Sequence, residues 1–245
     1  MPILVALVIF LGAFTQSLTG FGSALVAMAL LPPILGLENT SPLVAGFALG
    51  LETLMVIRYR ESFKFNSIWR VLAASLIGAP LGVYLLSNVD ENIALLILGI
   101  VISGYAIYAL VGFRLPELAH PLWAWATGLL SGMLGGAYNT SGPPVIIYGN
   151  CRRWGAAEFK SNLSGFFVIN SLVVTASHFL SGHFTEIVAR NFLFAIPAVF
   201  VGFLAGQAFD RWIPLPAFRK LVLLLLFVLG GRLIVTSVAE LIFGA

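Results

Sequence analysis

The sequence predicts an all-α, polytopic integral membrane protein made of two inverted-topology repeats. Each repeat is a broken or re-entrant helical hairpin followed by three transmembrane helices. Three observations predict this. Of the 245 residues, 60% are hydrophobic and 9% charged, and the mean hydropathy is +1.02; a soluble domain carries about 25% charged residues. Apolar runs long enough to cross a bilayer recur along the chain. A polar, glycine-rich break occurs twice: Gln16-Ser17-Leu18-Thr19-Gly20-Phe21-Gly22-Ser23 and Gly135-Gly136-Ala137-Tyr138-Asn139-Thr140-Ser141-Gly142-Pro143-Pro144.

In chain order, residues 2–18 and 22–35 are apolar pieces on either side of the first break. Met1-Pro2-Ile3-Leu4-Val5 has no positive n-region, so 2–18 is expected to be a retained segment. Runs at 40–57, 68–87 and 91–112 complete the first repeat, residues 1–112. The second repeat, 113–245, begins with the pieces 120–134 and 143–150 and continues with runs at 160–181, 187–209 and 217–240. The whole chain, 1–245, is read as a single membrane domain. The pieces after the breaks are short for a full crossing.

Charge orients these spans. Eleven of the 13 Lys and Arg fall in four stretches: 58–70, 113–119 (Arg114), 151–160 and 210–220 (with Arg211). The connections near Glu38, Asp90-Glu91 and His183 carry none. Positive loops stay in the cytoplasm. With the four basic stretches inside, each broken hairpin makes an even number of crossings and three more spans follow. The two halves then run in opposite directions, and both termini face outside a cell (inner) membrane. Inverted repeats place a substrate site near the midplane, between the halves.

Other pairs repeat as well. Gly46-Phe47 with Leu51-Glu52 corresponds to Gly165-Phe166 with Asn170-Ser171. Gly78-x-x-x-Gly82 corresponds to Gly202-x-x-x-Gly206. The last pair is read as scaffold, because small residues at that spacing let helices approach closely.

The breaks carry the functional expectation. In lipid, each unpaired backbone N–H or C=O costs several kcal/mol, so irregular backbone is tolerated only inside protein or beside a polar cavity. A helix restarting there presents N–H groups and the positive end of its dipole, which suits an oxyanion. Thr19, Ser23, Asn139, Thr140 and Ser141 add side-chain donors, and Gly20, Gly22 and Gly142 allow close backbone approach. Gln16, Phe21 and Tyr138 complete the expected substrate-binding set, and Pro143 and Pro144 suit the first turn of the restarting helix. A capped kink that only packs helices is the alternative.

Glu52 is the acidic residue well inside a predicted span. Desolvation penalises a carboxylate there, so Glu52 is the candidate for proton coupling, against a hydrogen-bonded structural role. Arg70, Arg190 and Asn170 are candidates for an anion path; for the two arginines the alternative is snorkelling to an interface. Arg232 is a partner for Glu240 or an interfacial anchor. Trp69, Trp123, Trp125 and Trp154 lie near predicted span ends and are read as aromatic-belt anchors.

Several functions are excluded. The net charge of +3 is spread over short loops without a basic stripe, so nucleic acid is not a partner. One cysteine, Cys151, excludes an intrachain disulfide and a multi-cysteine metal site. His120, His178 and His183 have no metal-ligand spacing, and no cofactor or metal is expected. No nucleotide-binding loop is present, nor a His-Glu-x-x-His motif. The chain is therefore not expected to be an enzyme, although a Ser–His pair through His178 stays open.

On the duplicated break, and on Lys160-Ser161-Asn162 leading into a span that ends Leu180-Ser181-Gly182, the chain resembles the sulfite exporter TauE/SafE family of membrane transporters over about residues 1–240. In place of a glycine triplet in the second break it has Tyr138-Asn139-Thr140-Ser141-Gly142. The resemblance implies a secondary transporter, expected to be an exporter, of small sulfur-containing anions such as sulfite, thiosulfate or organosulfonates. Alternating access and protons as coupling ion are the expected means, and the lipid bilayer and a second copy of the chain are the other partners considered. An anion channel is the alternative; an intramembrane enzyme is third.

Overall fold

The computed structural model describes residues 2–60, 63–113, 115–209, 212 and 215–243, so Arg114 and Arg211 lie outside the described residues. Every regular element among them is a helix: α1 Pro2–Thr19, α2 Ser23–Leu30, α3 Pro32–Leu35, α4 Leu37–Tyr59, α5 Phe65–Asn88, α6 Glu91–Val111, α7 Pro121–Tyr138, α8 Gly142–Cys151, α9 Ala156–Leu180, α10 Glu186–Phe209 and α11 Leu215–Phe243. The six expected runs are α4, α5, α6, α9, α10 and α11, and both breaks fall between helices. Among the described residues, seven helices are long and apolar enough to cross a bilayer, these six and α1. Large side chains such as Ile77, Ile100, Leu193, Phe200, Leu221 and Val228 are exposed on the outer helices. Such a surface is stable in lipid and not in water.

Each break folds the chain back on itself. Gly12 of α1 lies against the backbone of Ser23 at the start of α2, where an added Cβ would come 2.9 Å from the Ser23 carbonyl oxygen. α8 returns in the same way along α7. α2 has 8 residues and α8 has 10, about 12 to 15 Å at 1.5 Å per residue, or roughly half a bilayer core.

Helix pairing follows the small residues. α5 packs on α7, where a Cβ at Gly82 or Gly136 would overlap the carbonyl of Met133 or Ala79. α10 packs on α1, where Gly202 and Gly206 lie against Phe10 and Ser17. Without a hydrophobic drive between helices in lipid, this close van der Waals fit holds them together. α4 packs on α9 and α6 on α11; α5 also touches α9, and α10 touches α4. Exchanging α1 with α7, α4 with α9, α5 with α10 and α6 with α11 turns α5–α7 into α1–α10 and α5–α9 into α4–α10, and leaves α4–α9 and α6–α11 as they are.

The connections sort by charge. Lys64 Nζ pairs with Glu158 Oε2 at 2.8 Å, the Lys64 amide donates to Asn162 Oδ1, and Arg152 Nη1 donates to the Leu118 carbonyl. The described parts of 58–67, 113–119 and 151–160 therefore gather at one end, the basic end. At the other end the Leu37 amide donates to Glu91 Oε1 and Thr185 Oγ1 to Asn39 Oδ1.

Candidate functional site

The two breaks share a left-handed turn at the end of their first helix, and the first break has a second left-handed residue, Gly22, where the second has the right-handed Ser141. Gly20 and Gly22 have φ of 87° and 107°, conformations that favour glycine, and Asn139 takes the matching left-handed turn with φ 52°. Asparagine tolerates this region better than most residues. By this match Gly20 corresponds to Asn139 and Phe21 to Thr140, with the same offset that relates Glu52 to Ser171. Thr19 therefore corresponds to Tyr138 and not to Thr140.

The breaks meet at a cavity of about 30 Å³ in the middle of the bundle. The first half supplies Gln16, Phe21, Gly22 and Glu52. The second half supplies Asn139, Thr140, Ser141, Gly142, Asn170 and Ser171. Leu25, Phe167 and Val174 form the apolar walls. Among the described residues no lysine or arginine lines it. Residues at the starts of α2 and α8 line it, and a helix start carries positive partial charge.

Gln16 organises the first-half side. Its Nε2 donates to Glu52 Oε1 at 2.7 Å, and its Oε1 accepts from the Ser23 amide at 3.1 Å and from the Ser23 hydroxyl. A side-chain oxygen on α1 thus caps the first turn of α2. On the second-half side, Asn139 Nδ2 donates to the Ser41 carbonyl at 2.7 Å, tying the turn to α4.

Three polar atoms of lining residues have no partner among the described residues. Glu52 Oε2, Thr140 Oγ1 and Asn170 Nδ2 are buried and unbonded. Leaving a buried donor or acceptor unsatisfied costs about 1 to 3 kcal/mol, and more for a charged group. Native proteins retain such groups where they have a task. Two of the three are hydroxyl or amide donors suited to an anion's oxygens.

Of the expected site residues, Gln16, Phe21, Gly22, Glu52, Asn139, Thr140, Ser141, Gly142 and Asn170 come together here. Thr19 does not line this cavity. Its hydroxyl lies 2.9 Å from the Thr15 carbonyl and 2.6 Å from that of Phe21, closing the end of α1. Ser23 is engaged by Gln16, Gly20 forms the turn, and Tyr138 is buried behind it. Arg70 stacks on the Trp69 ring at 4.8 Å, and Arg190 and Arg232 are exposed; neither Arg70 nor Arg190 lines the cavity. At Gly142 an added Cβ would meet Phe167 at an ordinary 3.5 Å. No protein neighbour requires a glycine at that position.

Sequence reasoning missed Ser171 and Phe167 as lining residues. Ser171 was accessible through its correspondence to Glu52; Phe167 carried no signal, since one phenylalanine in an apolar run resembles any other. It also left the Ser–His question open. Ser41 Oγ does lie 3.2 Å from His178 Nε2. Yet that hydroxyl donates to the Ala137 carbonyl at 2.9 Å, so its proton is not offered to the imidazole and no activated nucleophile results.

Comparison with known proteins follows this geometry. The model of the family described as sulfite exporter TauE/SafE matches residues 5–233. The chain is 26% identical over 237 residues to the probable sulfite/organosulfonate exporter TauE of Cupriavidus necator, covering 93% of this chain and 91% of that one. It is 29% identical over 169 residues to the probable inner membrane transporter protein TsaS of Comamonas testosteroni, covering 68% and 71%. No solved structure matches the chain significantly.

Proposed function

This chain belongs to the sulfite exporter TauE/SafE family of membrane transporters, and from that premise we propose that it is a secondary transporter that exports small sulfur-containing anions. The substrate class is sulfite, thiosulfate or organosulfonates. The observation that carries the reading is the set of unpartnered atoms on Glu52, Thr140 and Asn170, in a cavity where both breaks meet. In this reading Thr140 and Asn170 donate to the anion's oxygens, and the starts of α2 and α8 supply positive potential.

Glu52 carries the coupling proton. An anion and a carboxylate side by side in a low-dielectric cavity repel strongly. The anion is therefore bound together with a proton on Glu52 Oε2. Gln16 holds the other oxygen and keeps the carboxyl aimed into the cavity.

The two repeats, 1–112 and 113–245, are inverted and work by alternating access. The exchange symmetry of the helix pairings supports this, as does the separation of basic from non-basic connections to opposite ends. The basic end is cytoplasmic, which sets both termini outside the inner membrane. A cavity of about 30 Å³ has room for one or two waters and not for an oxoanion. Loading therefore requires the two breaks to separate.

The test is a binding and uptake screen of sulfite, thiosulfate, sulfoacetate, taurine and acetate with purified protein. Saturable, proton-dependent movement of at least one sulfur anion, with acetate inactive, is expected. Transport that does not saturate would make the protein a channel; no transport of any sulfur anion would end the reading.

A further inference from the structure

We infer that a large cavity at the basic end is an anion antechamber on the transport path, and that Phe21 is the gate between it and the occluded site. This rests on the transporter reading above. The cavity measures about 750 Å³ and is lined by four cations, Arg153, Lys160, Arg219 and Lys220, with Thr19 and Asn150. No acidic residue lines it among the described residues. Cations converging on a low-dielectric recess focus the field and raise the local concentration of anions. Planar guanidinium groups suit the paired oxygens of a sulfite or sulfonate.

The antechamber and the occluded site are joined by a constriction. A third cavity, of only about 10 Å³, shares Thr19, Arg219 and Leu223 with the antechamber. It shares Phe21, Gly22 and Leu25 with the occluded site. The three form one line from the basic end to Glu52 and Thr140, pinched at Phe21.

Phe21 is built to move. It sits between Gly20 and Gly22, both with left-handed φ, where the backbone can change its dihedrals with little steric resistance. The ring packs against the hydrophobic core and makes two further contacts. Tyr105 meets it edge-on at 6.2 Å and 83°, and the Arg219 guanidinium lies over it at 5.5 Å. A cation over an aromatic face is a weak contact compared with a charge-assisted hydrogen bond to an oxyanion. An anion arriving in the antechamber therefore draws Arg219 off the ring, and the ring swings clear. The same cation that closes the gate hands the substrate through it. This explains why Thr19, outside the occluded site, belongs to the path.

The test uses right-side-out and inverted membrane vesicles of an expressing host, with vesicles of the parent host as blank and radiolabelled sulfite and sulfoacetate as probes. Arg153→Gln with Lys220→Gln removes two antechamber charges remote from the occluded site. At roughly fivefold per charge, the ratio of KM at the basic face to KM at the opposite face rises about 25-fold. Salt flattens that difference as it screens the charges. Phe21→Ala, checked for monodisperse elution in detergent, speeds passive efflux of preloaded anion at least tenfold. A ratio of the two KM values in the double variant unchanged from the parent's, or efflux from Phe21→Ala at the parental rate, overturns the antechamber while leaving the transporter reading intact. No transport of either probe by the unmodified protein overturns both. A KM effect seen only in vesicles reconstituted with anionic phosphatidylglycerol, and absent in phosphatidylcholine, makes the cavity a lipid-headgroup site and also overturns the proposal.

Discussion

Thr140→Val is the sharpest perturbation of the occluded site, because binding and stability should move in opposite directions. Thr140 is 1% exposed and its hydroxyl has no partner. Valine keeps the shape and puts a methyl group in place of the hydroxyl. Without ligand the substitution relieves an unsatisfied buried hydroxyl, so stability rises by about 1 kcal/mol, or about 2 to 4 °C in Tm for a chain of this size. With anion bound it removes a hydrogen bond to a charged acceptor, about 1.5 to 3 kcal/mol. The Kd is then weaker by about tenfold to 150-fold. Calorimetric titration with sulfite in detergent measures the affinity, and thermal unfolding with and without sulfite measures the stability. Thr175→Val is the control. Its hydroxyl donates to the Ala45 carbonyl at 3.0 Å, linking α9 to α4. That variant should lose about 0.5 to 1.5 kcal/mol of stability and bind sulfite as the parent does. If Thr140→Val binds sulfite with parental affinity, or melts lower than the parent, Thr140 packs helices and the site lies elsewhere.

Two further outcomes follow from the same geometry. Glu52→Gln keeps the hydrogen bond to Gln16 but cannot carry a proton, so accumulation driven by an imposed pH gradient should vanish while sulfite binding in detergent survives; parental accumulation in that variant would make Glu52 structural. Asn66→Cys in a Cys151→Ser background reports the orientation, since Asn66 is exposed at the start of α5, at the basic end. An impermeant maleimide should label it in inverted vesicles and not in intact cells, and labelling in intact cells would reverse the topology.

Much of the site was legible before the fold. A polar break in apolar sequence conflicts with membrane energetics, and that conflict is visible in composition alone. The same holds for Glu52, whose cost in a span marks it without coordinates. Thr19 and Thr140 could not be told apart before the fold, because their hydroxyls are identical in sequence and differ only in neighbours. One caps α1; the other faces the cavity with nothing bonded to it. Phe21 was placed in the site but not at its edge, where it touches Tyr105 and Arg219 from the distant helices α6 and α11.

By itself, then, the sequence determined the membrane, the helices, the spans and the two breaks. Each of these follows from local hydropathy, from glycine and proline, and from loop charge, all of which act within a few residues of chain. The tertiary structure decided which polar groups face one another. Gln16 reaches Glu52 across 36 positions, and Asn139 reaches Ser41 across 98. Such meetings depend on helix rotation and close glycine-mediated packing, which residue identities along one strand of text do not encode singly. The physical reason is that a buried polar atom is defined by what its surroundings fail to offer it.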